Sequence, residues 1–483
     1  MRIARLLLPL LLFPQLAAAQ LPPSETWLSV TPAAPSVGED VTLFASVWAQ
    51  SETPIGAVRF SSVGTVYGIV VLEELAHGHG QIASGGGHSC VVSIAGEVWC
   101  WGFGGNRQLG NNSLANQTEP VQVQGLPGPV TQVALGGNHS CAITESQQLW
   151  CWGWNAYGQL GFGDTIQHFA PEQVTAITDP VVQVDLGDVH TCAVTQAGQV
   201  YCWGRNIYGQ LGDGTTTQSP TPVLVSGLPG PVTGIGTGET HSCAILRNTR
   251  VFCWGDNTWG QLGDNTTTDS LVPVGVVGGR NAVMVALGQN HSCLLRDNGT
   301  ARCWGRNQWG QLGDGTNVDR HRPVRASAAG RDLIDIDLGN YHTCAVRHQG
   351  RVRCWGRNPS GQLGDGTQTD AWAGVTTALP ALTWAWSVST YDNGGCAQAV
   401  NGEVRCWGYN ANAAAGDGTV TSPRLTPVPT VGGRIAWPRG QTYARLLIAG
   451  GLPAGLTRMR ALYSGLPTLA SSLSNRVDVT TTP

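Results

Sequence analysis

Fourteen cysteines and six regularly placed histidines are the residues of this 483-residue chain best equipped for chemistry. The cysteines form seven pairs: Cys90 and Cys100, Cys141 and Cys151, Cys192 and Cys202, Cys243 and Cys253, Cys293 and Cys303, Cys344 and Cys354, and Cys396 and Cys406. Nine residues between partners is not a chelating spacing, so oxidative pairing rather than metal binding is the expected chemistry. His88, His139, His190, His241, His291 and His342 each stand two residues before the first cysteine of a pair, and the seventh copy has Gly394 there. One imidazole per repeat cannot converge on a single ion through bonds of about 2 Å, so these histidines are expected to lock their repeats by hydrogen bonding. His77 and His79 form a separate pair with at most weak metal affinity. No metal or cofactor is expected. All 27 basic residues are arginine, which excludes a phosphate-gripping or Schiff-base lysine. A net charge of −4 argues against nucleic acid as partner. No nucleophile elbow, zinc-protease helix or phosphate loop is present, and a non-catalytic protein is expected.

The cysteine pairs recur about every 51 residues, a period that marks a repeat architecture. In the third copy, "HTCAVTQAGQVYCWGRNIYGQLGDGT", Thr191 to Thr195 and Gln199 to Trp203 read as strands around the triplet Gln196, Ala197 and Gly198. A three-residue hairpin loop commonly ends on a left-handed residue, usually glycine. Gly96, Gly198, Gly299, Gly350 and Gly402 hold that place in five of seven copies. Counting outward from the loop sets Cys192 opposite Cys202, within reach of a cross-strand disulfide. Val181 to Leu186 and Pro222 to Val225 complete four strands per period. Seven four-stranded repeats without helical periodicity predict an all-β, seven-bladed propeller.

The segments "CWGRNIYGQLGDGT" from Cys202, "CWGDNTWGQLGDNT" from Cys253, "CWGRNQWGQLGDGT" from Cys303 and "CWGRNPSGQLGDGT" from Cys354 resemble the regulator of chromosome condensation repeat, as does "CWGWNAYGQLGFGD" from Cys151. The copies from Cys100 and Cys406 depart from it, as terminal repeats do. The resemblance implies a seven-bladed ring over residues 81–437, and it agrees with a structural role for the repeat histidines. Asp213, Asp264, Asp314, Asp365 and Asp417 occupy turns without the acidic ladder of a calcium loop. Asn155, Asn206, Asn257, Asn307, Asn358 and Asn410 are placed to cap loop backbone.

Arg2 and Arg5, an apolar run from Leu6 to Leu16 and then Ala17, Ala18 and Ala19 read as a signal peptide over 1–19, cleaved near Gln20. No later stretch is long and apolar enough to span a membrane. The expected location is secreted or cell envelope, periplasmic or extracellular, where disulfides persist. Residues 20–80 and 438–483 read as two halves of a β-sandwich. "PIGAVRF" early and "LPAGLTRMRALYSG" late resemble, in order, a bacterial immunoglobulin-like repeat domain. The propeller would then be inserted in one of its loops.

Tyr157, Tyr208, Trp259 and Trp309 share one position, just before "GQLG", in four consecutive repeats. They would either line a ligand-binding arc or pack between blades. The leading expectation is an exported, non-catalytic recognition platform for a protein or glycan. A secreted enzyme inhibitor and a guanine nucleotide exchange factor for a small GTPase are the alternatives, and the signal peptide and cystines disfavour the last. The sequence leaves the oligomeric state open.

Overall fold

The computed structural model describes residues 82–434 except 94, 348–349, 381–384 and 400–402, together with backbone strands in the flanking segments. Residues 1–19 and the His77 and His79 pair lie outside the described residues. The chain divides into two compact units, one of residues 79–435 and the other of 1–78 with 436–483.

The larger unit consists of seven four-stranded antiparallel sheets, each built from one contiguous segment whose strands, a to d, follow chain order. Blade 1 runs from Ile82–Ser84 to Gln117–Gln122, blade 2 from Val130–Leu135 to His168–Gln173 and blade 3 from Val181–Leu186 to Ser219–Leu224. Blade 4 runs from Val232–Thr237 to Ser270–Gly275 and blade 5 from Ala282–Leu287 to Arg320–Arg325. Blade 6 runs from Leu333–Leu338 to Ala371–Thr376, and blade 7 from Ala385–Tyr391 to Arg424–Arg434. Strands a of successive blades are neighbours around the axis. Gln132 exchanges hydrogen bonds with the Val184 backbone, Gln183 does so with Ile235, and the Thr237 N–H donates to Asp185.

The hairpin of strands b and c puts Cys192 opposite Cys202, and the same register holds in all seven blades. Each pair is a disulfide with Cα atoms 4.0 or 4.1 Å apart, the close spacing of antiparallel residues that do not bond each other's backbone. A bridge across so short a loop contributes about 3 kcal/mol in the chain-entropy account. The hairpin loop requires a left-handed third residue: Gly198 has φ +83°, and in the two copies that lack glycine Gln147 and Thr249 adopt +60° and +64°.

The core lies between blades rather than within them. Cys192, Cys202 and Leu211 of blade 3 pack with Ile235, Ala244 and Trp254 of blade 4. The tryptophan after the second cysteine is fully buried in every blade. Each such indole removes roughly 200 Å² from water, worth about 5 kcal/mol as an upper bound.

In the smaller unit, Val41–Ala49 pairs with both Ser24–Thr31 and Gln441–Ile448, and Gly56–Ser62 pairs with both Thr65–Val71 and Leu456–Gly465. Each sheet therefore joins strands from before and after the propeller.

Candidate functional site

Strand a runs in the same direction as strand c, so the a–b turns and the long c–d loops open on one face of the ring. The c–d loop is held by its own polar residues. The Asn206 side chain accepts from the Leu211 N–H and donates to the Thr215 and Thr217 carbonyls. Asp213 accepts from the Thr215 N–H. The bond accepted by the asparagine oxygen repeats at Asn257, Asn307, Asn358 and Asn410, and at Asn155 the amide donates to Asp164. Asp264, Asp314, Asp365 and Asp417 likewise accept from Thr266, Thr316, Thr367 and Thr419. With their oxygens committed to the loop, these aspartates serve the turn.

The loop delivers a main-chain carbonyl to the next blade. The Gln210 carbonyl accepts from the Trp254 indole at 2.9 Å and from the Ser242 hydroxyl at 3.0 Å. His190 Nε2 lies 2.9 Å from that same Ser242 oxygen. Because the hydroxyl donates to the carbonyl, it accepts from Nε2–H, and burial keeps the His190 ring neutral. His88, His139, His241 and His291 repeat this contact with Ser140, Thr191, Ser292 and Thr343 at 2.8 to 3.0 Å. Burial holds His88, His139, His190 and His291 at about 3, and His241 and His342 at about 4. His342 faces Gly395 of blade 7, where no hydroxyl exists. Among the described residues no group of three or more His, Cys, Asp or Glu is placed to hold a metal.

Blade 7 exchanges the sizes of two partners. Gly85, Gly136, Gly187, Gly238, Gly288 and Gly339 each lie against the histidine three residues on; a Cβ at Gly187 would sit 2.4 Å from His190 Cε1. In blade 7 the glycine position is Tyr391 and the histidine position is Gly394. A Cβ on Gly394 would meet Tyr391 Cζ and Oη at 2.2 Å, so the tyrosine fills the space that an imidazole fills elsewhere. Its hydroxyl donates toward the Trp407 and Tyr409 carbonyls. Sequence reasoning registered Gly394 as a gap and missed Tyr391, although the replacement of a recurrent glycine by a large residue three positions earlier was its visible signal.

Of the four aromatic residues, Tyr157, Trp259 and Trp309 are half-buried and Tyr208 is 36% exposed. Arg205 lies over Tyr157 at 5.2 Å, Arg306 over Trp259 at 4.4 Å and Arg357 over Trp309 at 5.1 Å, in each case from the following blade. Tyr341, from an a–b turn, is shared by Arg306 and Arg357 at 5.6 Å. Blade 4 offers Asp256 where an arginine would cover Tyr208. The four rings thus differ in their cover. Three are stacked under guanidinium groups, a partly desolvated arrangement worth about 1 kcal/mol per pair.

Carboxylates collect nearer the axis, a feature sequence reasoning also missed; its signal was acidic residues in otherwise apolar strands such as "LIDIDL". Burial in the channel wall raises Asp185 and Asp335 to about 7 and Asp337 to about 6. Asp188, Glu239 and Asp392 occupy equivalent a–b turns. Burial raises all three, Asp392 to about 6, and the charges of Asp188 and Glu239 add to the effect on Asp392.

Fold and site together define an all-β propeller whose blades are stapled individually and whose loop face mixes stacked arginine and aromatic groups around an acidic axis. The RCC1-like domain model matches residues 68–284 and 129–444, and the chain belongs to that family. It is 32% identical over 345 residues to the ultraviolet-B receptor UVR8 of Arabidopsis thaliana, covering 70% of this chain and 78% of that protein. It is 33% identical over 235 residues to the human E3 ubiquitin-protein ligase HERC2, covering 44% of this chain and only 5% of that one. Prp20p of Saccharomyces cerevisiae, described with its binding to Gsp1p and histones, superposes with a TM-score of 0.64 at 22% identity over 73% of this chain and 92% of that structure. That likeness concerns the fold. The seven disulfides are consistent with an extracellular or secreted protein, and no helix among the described residues is long and apolar enough to cross a membrane.

Proposed function

We propose that the protein is an exported, non-catalytic binding module that recognises a partner protein on the face formed by the a–b turns and c–d loops. In this reading residues 1–19 are a cleaved leader. Residues 20–80 and 438–483 form one immunoglobulin-like sandwich that carries the propeller, 81–437, as an insertion. The observation that carries the reading is the cluster of Trp259, Trp309 and Tyr341 beneath Arg306 and Arg357. Tryptophan, tyrosine and arginine are the residues on which protein interfaces concentrate their binding energy. The acidic axis beside them supplies charge of the opposite sign, which favours a specific orientation of the partner. Binding of Gsp1p and histones by Prp20p is a precedent for protein recognition on this fold.

The test replaces Trp259 and Trp309 together by alanine and compares proteins captured by wild type and variant from the native surroundings. The reading expects loss of a stoichiometric partner with a melting temperature within a few degrees of wild type. Retained binding with a large fall in melting temperature would assign both rings to inter-blade packing instead.

A further inference from the structure

The face opposite the a–b turns and c–d loops is built from the b–c hairpins and the d–a connections, and its charge is divided. In blades 1 to 3 those turns hold Glu97, Glu145 and Asp179 and no arginine. From the hairpin of blade 4 to the hairpin of blade 6 they hold Arg247, Arg250, Arg280, Arg331 and Arg351, all exposed, against Asp297 and Asp332.

The strand ends beside these turns sharpen the division. Before the second cysteine, blades 1 to 4 carry Trp99, Trp150, Tyr201 and Phe252, whereas blades 5 to 7 carry Arg302, Arg353 and Arg405. Strand b ends on Arg296 in blade 5 and on Arg347 in blade 6, where blades 2 and 3 end on Thr144 and Thr195. Arg325, exposed at the end of strand d, pairs with Arg302. At blade 7 the patch stops, because Arg405 is paired with Glu403 at 2.6 Å.

Four of these arginines are held in place without being neutralised. Arg296 donates to the Gly278 carbonyl at 3.0 Å, Arg302 to the Pro323 carbonyl at 3.3 Å and Arg347 to the Arg331 carbonyl at 3.2 Å. Arg353 donates to the Gly374 carbonyl. A neutral acceptor orients a guanidinium and leaves its charge for a ligand. Asp297 offsets part of the charge at Arg296, and Asp332 stands 4.0 Å from Arg347. Like charges nevertheless crowd: Arg353 Nη1 and Arg347 Cζ approach the Cβ position of Gly330 to 3.7 and 3.8 Å. Burial lowers the pKa of Arg296 and Arg353, and the charges of Arg302 and Arg347 lower them further. The Nε–H groups of Arg296 and Arg353 are shielded from solvent and have no partner among the described residues.

We infer that the hairpin face of blades 4 to 6 binds an anionic polysaccharide, whose carboxylates lie across the exposed arginines of the turns and reach the half-buried pairs Arg296 with Arg302 and Arg347 with Arg353. The planar guanidinium fork matches a carboxylate two bonds at a time. A surface of one sign, without the tryptophan and tyrosine of blades 1 to 3, suits a chain of repeated charges better than a folded protein. A stiff uronate chain is already ordered, whereas an acidic polypeptide would lose conformational freedom on the same contacts. A wide nucleic-acid duplex could meet the exposed turns but not the half-buried pairs. Acidic polysaccharides also share the oxidising surroundings in which seven disulfides persist.

The probe is a labelled alginate oligomer, titrated into the full disulfide-bonded chain by fluorescence anisotropy at low salt. Unlabelled alginate, neutral dextran, duplex DNA and polyglutamate of matched charge serve as competitors. Arg280→Gln with Arg331→Gln and Arg351→Gln strips the exposed turns without altering a strand residue. Arg302→Tyr with Arg353→Tyr places in blades 5 and 6 the residue that blade 3 carries as Tyr201. Alginate is expected to bind, more weakly as ionic strength rises, and dextran not to compete. Each folded variant should weaken binding roughly tenfold. Trp259→Ala with Trp309→Ala should leave this binding unchanged, which separates the hairpin face from the loop face. Absence of alginate binding at low salt, undiminished binding by either folded arginine variant, or displacement by DNA or polyglutamate as effective as by unlabelled alginate would overturn the proposal.

Discussion

The junction of blade 7 with blade 1 and the junctions between the other blades are held by two belts, only one of which goes all the way round. In the first, an indole N–H donates to a loop carbonyl of the preceding blade. It runs from Trp152 on Gln108 to Trp407 on Gln362, and it persists at the closing junction, where Trp101 donates to the Ala414 carbonyl at 2.9 Å. The second, histidine to hydroxyl, is present at five junctions and lapses on both sides of blade 7, where Gly394 and Gly395 replace its two members. A belt carried by main-chain carbonyls survives replacement of glutamine by alanine. A belt carried by two side chains does not, and Tyr391 fills the space instead. The last repeat can therefore diverge in sequence while the ring still closes.

The largest expected effect lies at that closing junction. Tyr391→Ala leaves a cavity beside Ile82 and Trp101 and should cost about 4 kcal/mol in denaturant unfolding. Truncating an exposed ring such as Tyr208 should cost far less.

The histidine belt should show in the acid response. The folded pKa values of about 3 to 4 lie below the unfolded 6.5. Between those limits the unfolded chain binds more protons, so the belt's stabilisation is complete above pH 6.5 and is lost as pH falls through 4 to 3. Melting followed by circular dichroism from pH 7 to 4 should weaken more in wild type than in His190→Gln, although the substitution lowers stability at pH 7. Equal slopes would remove the belt from the acid response.

The channel aspartates act with the opposite sign. Asp185 and Asp335 are raised to about 7 from 3.8, so the folded chain holds the extra protons and stability is lost as pH rises toward and through 7. Asp185→Asn keeps an acceptor for the Thr237 N–H. It should raise the melting temperature at pH 8 and change little at pH 4. The reverse pattern would mean that Asp185 is ionised in the native wall.

The smallest effect concerns the hairpin loops. Thr249 and Gln147 adopt a left-handed φ that glycine holds in other blades. Thr249→Gly should therefore stabilise by about 1 kcal/mol, whereas Gly198→Ala should destabilise because its Cβ would approach Pro231 Cβ to 2.7 Å. A loss of stability in Thr249→Gly would show that the Thr249 hydroxyl, an acceptor for the Asn281 N–H, outweighs the strain.

The repeat was legible in the sequence because each blade is a local object. Ten-residue cysteine spacing and a glycine-ended loop set the hairpin register, and that register puts Cys192 opposite Cys202. What joins one blade to the next was less legible. The Gln210 carbonyl acts through the backbone, so its side chain gives no hint of the role, and the Ser242 partner of His190 lies a full repeat away. The four aromatics were visible as a column but the arginines over three of them were not, because Arg306 and Trp259 come from different repeats. Tyr391 escaped notice for a further reason: a compensating exchange is recognised only when both positions are compared with six other copies in three dimensions.

The exchange at blade 7 can be tested by reversing it. Tyr391→Gly and Gly394→His are each destabilising alone, the first by emptying the pocket and the second by forcing a side chain into the tyrosine ring. Together they restore the pair found in blades 1 to 6 and offer Ser89 the imidazole partner that Ser242 has. A double-mutant cycle by denaturant unfolding should give a coupling of at least about 2 kcal/mol in favour of the double variant. Additive losses would contradict the account that Tyr391 and Gly394 close the ring as one unit.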